Sequence, residues 1–178
     1  PDLEKYTGYS GVCGHFYLSD FAPLSSSFDC TFSLLRDPVE RFLSAISHCR
    51  RKSEHPSTLS PTMRAMRELS LTDFLKTREA IVEINAFSFY FGWKESIPLT
   101  DLQSIRENAI AQLSGSSVVL FRQENLSDLT LFLEEAFDKK IIMSEFNATE
   151  EPEQLFSAAE KSFIVSDLPE FFESERRF

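Results

Sequence analysis

Leu35-Arg36-Asp37-Pro38-Val39-Glu40-Arg41-Phe42-Leu43-Ser44 is the stretch on which the fold turns. Just upstream, Phe28 to Leu35 is rich in aromatic, β-branched and leucine residues and reads as a buried strand. A helix follows at once. Asp37 suits the N-cap, and Pro38 suits the first helical position, where a missing N–H costs nothing. Glu40 completes a capping-box pattern. Val39, Phe42, Leu43 and Ile46 then recur at helical spacing on one face.

Outward from this unit, Lys52 to Pro61 holds serines and two prolines and reads as a surface loop. Helices are expected over Pro61–Leu69, over Thr72–Phe91 with a break, and over Thr100–Leu113, where Gly115 ends the last. Ser117 to Arg122 reads as a second buried strand. Leu126 to Phe137 reads as an amphipathic helix with Leu126, Leu129, Leu133 and Phe137 facing inward. Further helices are expected over Glu150–Ser166 and Leu168–Arg176. Strands separated by helices predict an α/β fold, helix-rich, with a parallel sheet covered on both faces. A length of 178 residues suits a single domain, 1–178.

Composition narrows the function classes. Hydrophobic residues make up 42% of the chain, enough for a packed core. The formal net charge of -10 argues against bulk nucleic-acid binding, so an anionic ligand needs a local basic site. The 3 cysteines, Cys13, Cys30 and Cys49, are odd in number and widely spaced, which favours a reducing compartment over a disulfide framework. No apolar run is long enough to span a bilayer and no signal peptide is visible. Asn125-Leu126-Ser127 and Asn147-Ala148-Thr149 fit the glycosylation sequon, a triplet common by chance. Cys13, His15, His48, Cys49 and His55 match no zinc spacing, so no metal is expected.

The turn after the first strand is suited to an anion. Ligands of open α/β sheets sit beyond the carboxyl ends of the strands, and Arg36 lies there. Free N–H groups and the helix dipole favour negative charge at the following helix start. Arg36 adds a permanently charged planar fork that matches phosphate. Arg41, Ser44 and His48 share a face at i, i+3 and i+7, with Arg51 nearly alongside. A solvated basic face is the ordinary reading of such a helix.

The segment Phe32 to Ala45 resembles the 3′-phosphate-binding segment of the sulfotransferases, in the carbohydrate branch that includes heparan sulfate 2-O-sulfotransferase. The resemblance implies a three-layer, P-loop-NTPase-like sheet flanked by helices. It implies a sulfuryl donor, 3′-phosphoadenosine 5′-phosphosulfate (PAPS), and a hydroxyl acceptor on a carbohydrate. The arginine before Asp-Pro and the serine eight residues later bind the donor's 3′-phosphate in that family, which gives these roles to Arg36 and Ser44, with Arg41 beside them. Three weaker likenesses extend it: Gly14-His15-Phe16 upstream, Leu120 to Leu126 as a strand entering a helix, and Asp167 to Phe172 as a closing helix.

Sulfuryl transfer needs an acceptor oxygen that loses its proton, and a well-placed histidine is a suitable base. The resemblance gives that role to His15, while a structural histidine that bonds a backbone carbonyl is the plain alternative. Cys13 stands where close relatives carry a second histidine. The family's other signature is a lysine-bearing loop that grips the 5′-phosphosulfate. Lys5 is the sole lysine before Arg36 and follows no strand-like run, so that loop is expected to precede residue 1. Two alternatives stand beside the enzyme: a non-catalytic relative that keeps the fold without the donor loop, and, ranked last for want of a Gly-Lys-Ser/Thr loop, a P-loop kinase-like phosphotransferase. Acceptor contacts would come from loops such as Lys52–Pro61 and Gly92–Pro98, where Trp93 can stack on a sugar or anchor the loop. Low glycine, odd cysteines and compact length suit a bacterial cytoplasmic protein; a Golgi lumen is the alternative for a eukaryotic one.

Overall fold

The computed structural model describes residues 17–21, 28, 30–52, 55–142 and 155–177. In chain order these form α1 (Leu18–Phe21), β1 (Thr31–Leu35), α2 (Pro38–Arg51), α3 (Pro61–Glu68), α4 (Leu71–Phe74), α5 (Arg78–Ile84), α6 (Ala86–Gly92), α7 (Leu102–Gly115), β2 (Val118–Arg122), α8 (Leu126–Phe137), α9 (Ala158–Ser166) and α10 (Leu168–Phe171). The described chain is thus helix-rich with one parallel strand pair, an α/β arrangement. The described contacts gather in two compact units, one holding β1 and Phe87–Asp138, the other Arg36–Ala86 with the described residues after Lys139.

The first unit is built on the strand pair. β1 and β2 run parallel, with Phe32 opposite Val119 and Leu34 opposite Phe121. Side chains alternate across a strand, so these four share a face. Phe132 of α8 lies 6.1 Å from the Phe32 ring and 5.1 Å from the Phe121 ring. Coverage is incomplete: Phe32 and Leu34 are 39% and 43% exposed, so β1 is half-buried rather than buried as predicted. Leu129 is the buried anchor of α8, whereas Phe137, predicted to face inward, is 51% exposed. It sits in the last turn, just before Asp138 closes the helix in the left-handed conformation. Gly92 ends α6 against α7, where Asn108 Nδ2 donates to its carbonyl at 2.6 Å.

The second unit packs α2 through α5 with the C-terminal helices. Val39, Phe42, Ile46 and Cys49 of α2 meet Met66, Leu71, Phe74, Ala80, Phe156, Leu168 and Phe172. Phe42 is central, with ring centroids 5.9 Å from Phe74 and 5.2 Å from Phe172. The long helix predicted over Thr72–Phe91 is broken twice. Thr77 caps α5, accepting from Ala80 N at 3.4 Å and donating to the Phe74 carbonyl at 2.6 Å. Asn85 stops α5 by donating to the Ile81 carbonyl at 2.8 Å. Short polar side chains that bond nearby backbone compete with helix continuation.

The boundaries elsewhere follow local chemistry. Ser60 caps α3, accepting from Met63 N at 3.2 Å, with Pro61 in the first turn. Asp101 caps α7 through Ser104 N at 3.1 Å, and the helix runs through Gly115 before Ser116 ends it. α9 begins at Ala158, where Ser157 and Glu160 form a reciprocal capping box; the first residues of the helix expected over Glu150–Ser166 lie outside the described residues. The last predicted helix is shorter as well. α10 stops at Phe171, and Glu175–Arg177 form a separate 3-10 turn.

Candidate functional site

The start of α2 gathers the charges. Asp37 Oδ1 accepts from Val39 N at 3.0 Å and Glu40 N at 3.1 Å, the cap that the sequence predicts. Its other oxygen, Oδ2, lies 3.5 Å from Arg176 Nε of the C-terminal turn. Arg36 precedes the helix with a side chain 37% exposed and donates from Nε to Glu40 Oε2 at 3.3 Å. The Glu40 carboxylate therefore turns to Arg36, and the predicted capping box does not form here.

The outward face of α2 carries the remaining sequence-predicted residues. Arg41 is committed to α5: Nη1 donates to Glu83 Oε2 at 3.3 Å, and Nη2 donates to the Glu83 carbonyl. Its side chain is 22% exposed and its buried Nε has no described partner. Ser44 is half-buried, and His48 is exposed one turn further along. Arg51 Nε donates back to the Ser47 carbonyl at 3.3 Å. Thus Arg36, Arg41 and Ser44 lie on one stretch of chain, and the Arg36 side chain, paired through Nε with Glu40, is more exposed than that of Arg41, 37% against 22%. His15, Cys13, Gly14 and Lys5 lie outside the described residues, as does the Asn147 sequon.

No protein-family model, curated protein or solved structure matches the chain. The resemblance to sulfotransferases is one of sequence around Arg36 alone.

The strongest polar cluster lies elsewhere on α2 and was not anticipated. Arg50 Nη2 meets Glu160 Oε1 at 2.6 Å, with side chains only 12% and 10% exposed. Arg50 also donates to the carbonyls of Leu155 at 2.8 Å and Leu69 at 3.2 Å, and its guanidinium sits 4.9 Å from the Phe156 ring centre. Glu160 accepts in turn from Leu71 N and Ser157 N, both at 2.8 Å. Burial alone would raise the Glu160 pKa, but hydrogen bonds from Arg50 and from the Ser157 and Leu71 amides outweigh it and hold the carboxyl down at about 2. This cluster ties α2 to α4 and α9 and is structural. The Ser157-to-Glu160 spacing was a readable signal for half of it.

Other candidates resolve into packing. Burial, then the nearby Glu83 charge, push the Cys49 thiol up, and its sulfur rests 3.7 Å from Met66 Sδ, so it is a core residue rather than a nucleophile. Trp93 anchors its loop: Nε1 donates to the Ile97 carbonyl at 3.1 Å and the ring lies 5.0 Å from Tyr17. Among the described residues, no group of His, Cys, Asp and Glu is arranged to hold a metal ion, and no helix is long and apolar enough to cross a membrane.

Proposed function

We propose that this chain is a sulfotransferase with a three-layer, P-loop-NTPase-like fold, transferring a sulfuryl group from PAPS to a carbohydrate hydroxyl. One observation carries the reading: Arg36 follows β1 directly and precedes an α2 capped by Asp37, with Ser44 two turns on. A half-exposed guanidinium and a half-buried hydroxyl near a helix start suit a phosphate monoester. Bound donor supplies the activated sulfuryl group.

The fit covers one part of the donor, its 3′-phosphate. Arg36 would take it with a bidentate fork, and Ser44 would donate its hydroxyl. Arg41 would keep α2 in place through Glu83 rather than touch the nucleotide. His15 would take the acceptor's proton as the acceptor oxygen, held in line, bonds the sulfur and the bond from sulfur to the bridging oxygen of the donor's 5′-phosphate breaks, releasing adenosine 3′,5′-bisphosphate. The odd cysteine count supports a reducing compartment, and a bacterial cytoplasm is the setting proposed.

The test is calorimetry on the intact protein with adenosine 3′,5′-bisphosphate. Arg36→Ala should weaken binding by about ten-fold or more, the value of a charge-assisted pair. Unchanged affinity removes the assignment. Binding without any transfer from PAPS would instead mark a non-catalytic binding domain.

A further inference from the structure

The Glu40 carboxylate has a partner that helix stability does not call for. Asp37 alone already takes the first free amides of α2, those of Val39 and Glu40. The Glu40 carboxylate is therefore not what satisfies these amides, and it turns to Arg36 instead. On an i, i+4 pair the favourable order puts the acid first, and here arginine comes first, from outside the helix. The pair is also open to water, with side chains 37% and 60% exposed. Such a contact contributes little to folding, and it neutralises Arg36, the cation to which the anion-binding role falls.

We propose that Glu40 is a built-in counter-anion for Arg36, so that a bound phosphate replaces it and Glu40 thereby sets the strength and charge preference of the site. The inference rests on the sulfotransferase reading above. Before binding, Arg36 Nε faces the Glu40 carboxylate, and Asp37 Oδ2 faces Arg176. Each positive group at the start of α2 thus has its own carboxylate. An incoming anion must outcompete a carboxylate of one negative charge. A phosphate monoester, carrying between one and a half and two charges at neutral pH, does so. A singly charged sulfate ester gains much less. Glu40 would favour the phosphate end of the donor over its sulfate end at this position.

A double-mutant cycle tests this, with adenosine 3′,5′-bisphosphate titrated by calorimetry into the intact protein and its Glu40→Gln, Arg36→Ala and doubly substituted forms. Glutamine keeps the size of an exposed side chain, and circular dichroism checks the fold. Glu40→Gln should tighten binding about two- to five-fold, the scale of an exposed ion pair. The gain should vanish when Arg36 is already alanine. Methyl sulfate, a singly charged sulfate ester, should compete better against the Glu40→Gln protein than against the unsubstituted one. Equal tightening in both backgrounds would reduce Glu40 to a distant charge and overturn the proposal. Weaker binding in Glu40→Gln would make Glu40 a ligand contact, and would overturn it too. If Arg36→Ala leaves binding untouched, the sulfotransferase reading fails first; if it weakens binding while Glu40→Gln has no effect, only the counter-anion role fails.

Discussion

Arg50 and Glu160 show what a single pair does when water is largely excluded. Removing one partner leaves the other buried without its counter-charge. Arg50→Ala should cost about 3–5 kcal/mol in urea denaturation, far more than an exposed pair such as Lys76 with Asp73, 74% and 59% exposed. The pH dependence has a definite sign. Glu160 titrates near 2 in the folded protein against an ordinary 4.5, so its contribution is fully present above pH 4.5 and is lost as the pH falls towards 2. That contribution is at most about 3 kcal/mol. Stability measured from pH 6 to pH 2 should therefore fall more steeply in the unsubstituted protein than in Arg50→Ala. Parallel curves would show that Glu160 is not held by Arg50.

At the scale of elements, Gly92 shows how closely two helices approach. A Cβ there would collide with the Ile105 carbonyl oxygen and lie 2.6 Å from the Ala109 amide nitrogen. Both obstacles on α7 are backbone and cannot rotate away. Gly92→Ala should destabilise the protein by about 3 kcal/mol or more, read as a lowered thermal midpoint; a neutral effect would mean that α6 and α7 do not approach so closely. The same scale explains what could be read from sequence. β1, α2, α3, β2 and α8 were legible because each is fixed by local signals: apolar runs, Asp37-Pro38, Ser60-Pro61. The breaks at Thr77 and Asn85 were harder, since either residue can sit within a helix when its side chain turns to solvent. Asp37 was recognisable as a cap. The direction of Glu40 was not, because capping and pairing with Arg36 are both within its reach. Arg50 with Glu160 and Asp37 with Arg176 join residues 110 and 139 positions apart, and no local pattern encodes such pairings.

Over the whole molecule, charge is unevenly spread. Arg41 to Arg67 carries six Lys or Arg against one Glu, while the rest of the chain carries twelve against twenty-seven acids. The net charge of -10 gives the folded protein an excess of like-charge repulsion. Added salt screens that repulsion over a distance of about 10 Å at 0.1 M, while the buried Arg50–Glu160 pair feels it little. The thermal midpoint should rise by about 2 °C or more between 20 mM and 300 mM sodium chloride near pH 7. A fall would mean that exposed attractive pairs outweigh the repulsion.

The second compact unit is discontinuous, with Phe42 and Phe74 in one segment of chain and Phe156, Leu168 and Phe172 in another. A ribosome makes these segments in order, at about 5–20 residues per second. Between them it must first produce everything from Phe87 to Asp138. The apolar face of α2 therefore waits several seconds for its C-terminal cover, so completion of this core belongs to the end of synthesis, and a nascent chain halted before Phe156 would offer Phe42 to chaperones.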